Sequence, residues 1–125
     1  MSSTVVAGLV AAGALGAPAR HLLDRAVQRR TRMRFPWGIF VVNVTGSWLL
    51  GVLTGAVLYH AFPETPAIVL GTGFCGAYTT YSTFSVDTVR LIEEGAFGDV
   101  ARNVVGSVVV AMVAAAAGLA TAAAF

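Results

Sequence analysis

The sequence predicts an all-α membrane protein: a single domain, residues 1–125, of four transmembrane helices with a break in the third. Three observations point there. The chain is 57% hydrophobic and 11% charged, with a mean hydropathy of +0.79, which is more apolar surface than a soluble domain of this size can hide from water. Four apolar runs of spanning length follow one another with short connectors. The charges are confined: there is no lysine, and six of the eight arginines (Arg20, Arg25, Arg29, Arg30, Arg32 and Arg34) fall in one short stretch.

The first run covers residues 3–23. Within it the apolar segment from Val5 to Ala19 ends in Ala17-Pro18-Ala19, which mimics a signal-peptide cleavage site, but no Arg or Lys precedes Arg20. The positive leader of a signal peptide is missing, so the run is read as a retained first helix. The second run covers residues 36–61, with Pro36 suited to an early helical position. The third covers residues 66–93 and the fourth residues 99–124, ending in an Ala-rich tail. The connectors are an arginine-rich loop, a Phe62-Pro63-Glu64-Thr65 turn and a polar link from Glu93 to Asp99. Four spans put the first and third connectors on one side. That side holds all the arginines when Arg90 and Arg102 are counted with the third connector, so the positive-inside rule leaves both termini outside a cell membrane crossed several times.

Polar residues inside lipid are costly and therefore informative. In the second span Asn43, Ser47, Leu50 and Thr54 fall on roughly one helical face, and Gly51 and Gly55 form a pair suited to close helix contact. The third span carries three glycines and six Ser or Thr hydroxyls between Gly71 and Ser85. Glycine and β-branched threonine both weaken a helix, which predicts a break near residues 76–80. The backbone groups freed there cannot face lipid. Freed carbonyls suit a hard cation and freed amides suit an anion; a kinked helix that only packs is the plainer alternative.

Composition also excludes functions. Clustered arginines beside apolar runs read as a membrane-flanking segment and not as a nucleic-acid surface. Cys75 has no partner for an internal disulfide. His21 and His60 sit at span ends without a matching acid or metal cluster, so no enzyme active site is expected. No charged side chain lies in the middle of a span, which argues against a proton-coupled carrier.

Three motifs then carry a resemblance. Gly13-Ala14-Leu15-Gly16-Ala17-Pro18-Ala19-Arg20 resembles GxxGAxxR. The stretch from Pro36 through Asn43, Gly46 and Ser47 to Gly51 resembles P-x-G-T-x-x-x-N-x-x-G-S-F-x-x-G. Gly73-Phe74-Cys75-Gly76 with the run from Thr79 to Ser85 resembles GFCGxxTTFSTFS. In order and spacing these are similar to the signatures of the bacterial Fluc/CrcB fluoride channels, over about the first 90 residues.

The resemblance implies an antiparallel dimer with two fluoride pathways and a structural Na⁺ at its centre. It implies that backbone carbonyls of Gly76 and Thr79 hold the Na⁺, and that Asn43, Tyr81, Ser82, Thr83, Phe84 and Ser107 lie along the fluoride path. Arg20, Gly46 and Ser47 would be structural. Such a channel lets fluoride leave the cytoplasm passively. Tyr81 stands where the family usually has Phe, and Ala77 replaces a common Gly. The arginine bias suggests one insertion direction, hence pairing with a related chain of opposite bias; a homodimer is the alternative. A small multidrug-type exporter would need an acid in the first span, and none precedes Asp24. A non-conducting partner subunit of a heteromeric channel is the remaining reading.

Overall fold

The computed structural model describes residues 2–31 and 34–125; Arg32, one of the clustered arginines, lies outside the described residues. Among the described residues all regular structure is helical, with no strand.

Helix α1 runs over Ser3–Thr31. The expected end near residue 23 and the arginine-rich loop are corrected here, because the helix continues through Arg25, Arg29 and Arg30. Arginine is a good helix former, and cations in a last turn complement the helix dipole. The polar stretch therefore extends α1 past its apolar part. With 29 residues the helix is about 44 Å long, beyond the ~30 Å of a hydrocarbon layer.

Helix α2 runs over Trp37–His60, one residue inside the expected bounds at each end. The end of α1 helps to start it. The Gln28 side-chain carbonyl accepts the Gly38 N–H at 3.1 Å, and its amide donates to the Phe35 carbonyl at 3.3 Å. At the other end Ala61 takes the left-handed conformation, the Phe62 N–H closes on the Ala56 carbonyl at 3.1 Å, and Pro63 follows.

Helix α3 covers residues 64–78. It starts as α-helix over Glu64–Ile68, widens into π turns over Val69–Cys75, and tightens again over Gly76–Tyr78. The chain then turns extended at Thr79 (φ −79°, ψ 158°). Helix α4 resumes at Ser82–Glu93. The single third span expected over residues 66–93 is thus two helical segments, starting two residues earlier. The interruption lies at residues 79–81, at the end of the expected window and one residue past it.

Helix α4 stops at Gly95, whose φ is +73°. The Ala96 N–H bonds the Leu91 carbonyl at 2.9 Å and the Gly95 N–H bonds the Ile92 carbonyl at 3.0 Å, a glycine-dependent Schellman stop. Helix α5 follows over Phe97–Ala124, starting two residues before the expected bound and containing π turns over Arg102–Gly106.

Helices α1, α2 and α5 are each long and apolar enough to cross a membrane. The most extensive helix pair is α2 with α5. Here the backbones nearly touch: a Cβ on Gly51 would strike the Ala115 carbonyl, one on Gly118 the Trp48 carbonyl, and one on Gly55 would come within 2.6 Å of the Ala122 Cβ. The packing role expected for Gly51 and Gly55 is what the structure has. Helix α1 covers α3 through similar small residues; a Cβ on Gly73 would lie 2.9 Å from the Ala12 Cβ. Arg34 lies 3.6 Å from Glu94, so the α1–α2 and α4–α5 connections share one end. Leu15, Leu22 and Met112 are exposed on the outer surface, where lipid is the fitting solvent.

Replacing Gly51 or Gly118 by Val should force α2 and α5 apart, at a cost of roughly 1–3 kcal/mol. Thermal unfolding in detergent should show lowered midpoints for both. Gly98→Ala, where an added Cβ meets nothing within 4 Å, should leave the midpoint in place or raise it. Equal midpoints for all three variants would remove the close approach as a source of stability.

Candidate functional site: a cleft at the helix break

A helix that stops and restarts inside an apolar layer exposes carbonyls at its first end and amides at its second. Neighbouring side chains take up several of them. The Thr79 N–H and hydroxyl both donate to the Cys75 carbonyl, at 2.9 and 2.8 Å. Arg20, reaching over from α1, donates to the Ala77 carbonyl at 3.2 Å. Arg20 therefore serves the break from within α1.

Thr80 is held from α2. The Asn43 side-chain carbonyl accepts the Thr80 N–H at 2.9 Å, and the Asn43 amide donates to the Thr80 carbonyl at 3.0 Å. One amide side chain thus imitates a paired strand across the gap. The Thr80 hydroxyl accepts the Thr83 N–H at 3.2 Å and so caps the start of α4. Gly46 makes the approach possible, because a Cβ there would strike the Thr79 methyl and press on the Tyr78 ring. Tyr78 is itself fixed by a 2.8 Å hydrogen bond to Thr45 and by stacking on Phe74.

Against the break lies a cleft of about 390 Å³. Asn43, Gly46 and Ser47 line it from α2, and Gly76 and Thr79 from the break. Tyr81 and Phe84, with ring centroids 5.9 Å apart, line the α4 side, and Ser107 lines it from α5. Eight of the residues singled out in the sequence thus meet at one place. Arg20, Ser82 and Thr83 do not line it; Thr83 instead hydrogen-bonds the Thr80 hydroxyl at 3.2 Å. Tyr81 is 80% exposed, so its ring and hydroxyl face outward from the single chain.

The hydroxyl protons are largely spent on helix carbonyls. Ser47 donates to the Asn43 carbonyl at 2.8 Å and Thr79 to Cys75. What remains for an anion is the second N–H of the Asn43 amide, the Tyr81 hydroxyl and the positive ring edges of Tyr81 and Phe84. Among the described residues no donor is directed at the Gly76 or Thr79 carbonyl. The cleft thus holds hydrogen-bond donors on one part of its wall and carbonyl oxygens without a described donor on another.

Sequence reasoning gave no site role to Thr80, Thr88 or Asn103. Thr80 supplies the backbone that Asn43 holds. Asn103 is buried between α4 and α5, where it donates to the Thr88 hydroxyl at 2.8 Å. A signal for Asn103 was present: it is one of two asparagines in the chain and precedes Ser107 by one helical turn.

Three long apolar helices around an interrupted one, with a polar cleft at the interruption, define a membrane protein built to hold backbone polarity within an apolar layer. The chain belongs to the CrcB-like family: the family described as "CrcB-like protein, Camphor Resistance (CrcB)" matches residues 7–119. Relatives carry the name fluoride-specific ion channel. One from Frankia casuarinae, FluC 1, is 52% identical over 91% of this chain and 92% of the relative. Another FluC 1, from Streptomyces avermitilis, is 51% identical over 89% of this chain and 90% of the relative. FluC from Nitrobacter winogradskyi is 41% identical over 95% of each.

Asn43→Leu should leave both backbone groups of the half-buried Thr80 unpaired, at up to about 1–3 kcal/mol for each. Hydrogen exchange in detergent should show the Thr80 amide protected in the wild-type protein and fast-exchanging in the variant, with a lowered unfolding midpoint. A Thr80 amide that stays protected in Asn43→Leu would show that Asn43 is not what holds the break.

Proposed function

We propose that the chain is a fluoride channel of the bacterial cell membrane, letting fluoride pass passively out of the cytoplasm. The observation that carries this reading is the cleft at the break, in a chain about half identical to proteins named fluoride-specific ion channels. Flow through it catalyses no reaction. Fluoride would trade part of its hydration shell for the free Asn43 N–H, the Tyr81 hydroxyl and ring edges, held firmly enough to enter and loosely enough to leave.

Four crossings follow if α3 and α4 together make the third. Their 15 and 12 residues amount to about 40 Å of helix, enough to span. Tyr81, which lines the cleft, is 80% exposed in the single chain, and this supports an antiparallel dimer that closes one chain's cleft with another's surface. The Gly76 and Thr79 carbonyls are hard oxygen ligands without a described donor, a set that fits Na⁺. Bound there, Na⁺ would neutralise carbonyl charge left by the break and tie the two chains together.

The arginines favour one insertion direction in the cell. The antiparallel partner there would be a related chain of opposite bias, whereas purified protein, free of insertion rules, would pair with itself.

Purified chain in liposomes should release fluoride to an electrode and retain chloride. No fluoride efflux from the chain alone would make a partner obligatory, and no efflux with an oppositely biased relative added would overturn the channel reading. In cells, a reporter fused to the C-terminus should be active only when it reads the outside. Equal activity of inside and outside reporters would return the homodimer.

A further inference from the structure

A polar chain runs through the contact between α4 and α5: it joins Thr88 and Asn103, to which the proposed ion path gives no part, to Ser107, which lines the cleft. Thr88 Oγ1 lies 2.8 Å from the Phe84 carbonyl, Asn103 Nδ2 lies 2.8 Å from Thr88 Oγ1, and Ser107 Oγ lies 3.3 Å from Asn103 Oδ1. Asn103 is 1% exposed, and Ser107 reaches the cleft.

Counting protons gives the chain a direction. The Phe84 carbonyl has no proton, so its contact with Thr88 requires the Thr88 proton. Thr88 Oγ1 then only accepts, and the end of Asn103 facing it must be the NH2 group. This turns the Asn103 carbonyl towards Ser107, whose hydroxyl donates to it. Ser107 therefore points its proton away from the cleft and its lone pairs inward.

We infer that Thr88 is a positioning residue: through Asn103 it sets the direction of the Ser107 hydroxyl, and so whether α5 offers the cleft an acceptor or a donor. The functional part of this rests on the ion-path reading. An anion reaching Ser107 has to rotate the hydroxyl and break its bond to Asn103. At 3.3 Å that bond is long for O–H···O and gives way readily. Rotation leaves the Asn103 carbonyl without its donor, so the anion is held loosely and released.

Thr88→Val keeps the shape and removes the acceptor. The buried Asn103 amide then has two orientations, and orphaned N–H groups are rarer than under-satisfied carbonyls. The amide turns over and donates to Ser107, whose proton is freed towards the cleft. Ser107 becomes a standing donor. The half-saturating fluoride concentration should fall about two- to tenfold, the worth of one added hydrogen bond, and the maximal efflux rate should fall with it. Thr88→Ser keeps the hydroxyl and should restore both.

The test combines efflux with a readout independent of activity. Asn43 and Asn103 are the only asparagines, so ¹⁵N-asparagine labelling of the full chain in bilayers gives two side-chain amide signals. Thr88→Val should move the Asn103 signal and leave that of Asn43, and Thr88→Ser should move neither. Thr88→Ala, which adds no bulk, replaces the valine variant if that one fails to assemble. An unmoved Asn103 signal overturns the inference. So does a fall in maximal rate at unchanged half-saturation, which a merely structural threonine would give. If the wild-type protein releases no fluoride, the ion-path reading falls and the role in conduction with it; the amide signals still decide the geometry.

Discussion

Backbone polarity released inside an apolar layer has to be met by protein, since hydrocarbon offers it nothing. The break at Thr79 and Thr80 releases it, and three neighbours answer. Arg20 of α1 takes the Ala77 carbonyl, Asn43 of α2 takes both backbone groups of Thr80, and the Thr80 side chain caps α4. Each answering group needs its own helix at the right depth. The packing of α1 and α2 against α3 is therefore part of the break's chemistry.

That packing depends on missing side chains. Lipid supplies no hydrophobic force to push helices together, so contact comes from close fit. Gly46 lets α2 approach until Asn43 reaches Thr80, and Gly51 with Gly118 brings α5 onto the other face of α2. Through α5 the same contact carries Ser107 to the cleft. A methyl group at Gly46 would lift α2 off the break and lengthen both Asn43 hydrogen bonds, although Gly46 itself bonds to nothing there.

The sequence made the spans legible because apolar length is a composition signal, and the break legible because Gly and Thr weaken helices locally. It misjudged where α1 ends. Hydropathy marks where lipid stops, whereas helix propensity continues through Arg25, Arg29 and Arg30. The meeting of Asn43, Gly76, Thr79, Tyr81, Phe84 and Ser107 at one cleft was expected only through the family resemblance; spacing along one helix says nothing about a neighbour sixty residues away. Ser82 and Thr83 carried the same motif yet lie off the cleft, because their place on the first turn of α4 commits Thr83 to Thr80. The Thr88–Asn103 pair was hidden for the opposite reason: its partners sit on different helices and neither stands out alone.

A cleft rich in hydroxyls is not thereby rich in donors. Within a helix, Ser and Thr return their protons to the carbonyl one turn back, as Ser47, Thr88 and Thr54 do here. Such residues offer lone pairs, which repel an anion and suit a cation. The donors left to the cleft are few and come from side chains that cannot bond back in this way: the second Asn43 N–H, and the Tyr81 hydroxyl at the open edge. In the proposed channel this scarcity has a use. A small, strongly hydrated anion gives up water only to donors placed close to it. A path with few donors holds such an ion briefly at any one point, which is the condition for passing it on.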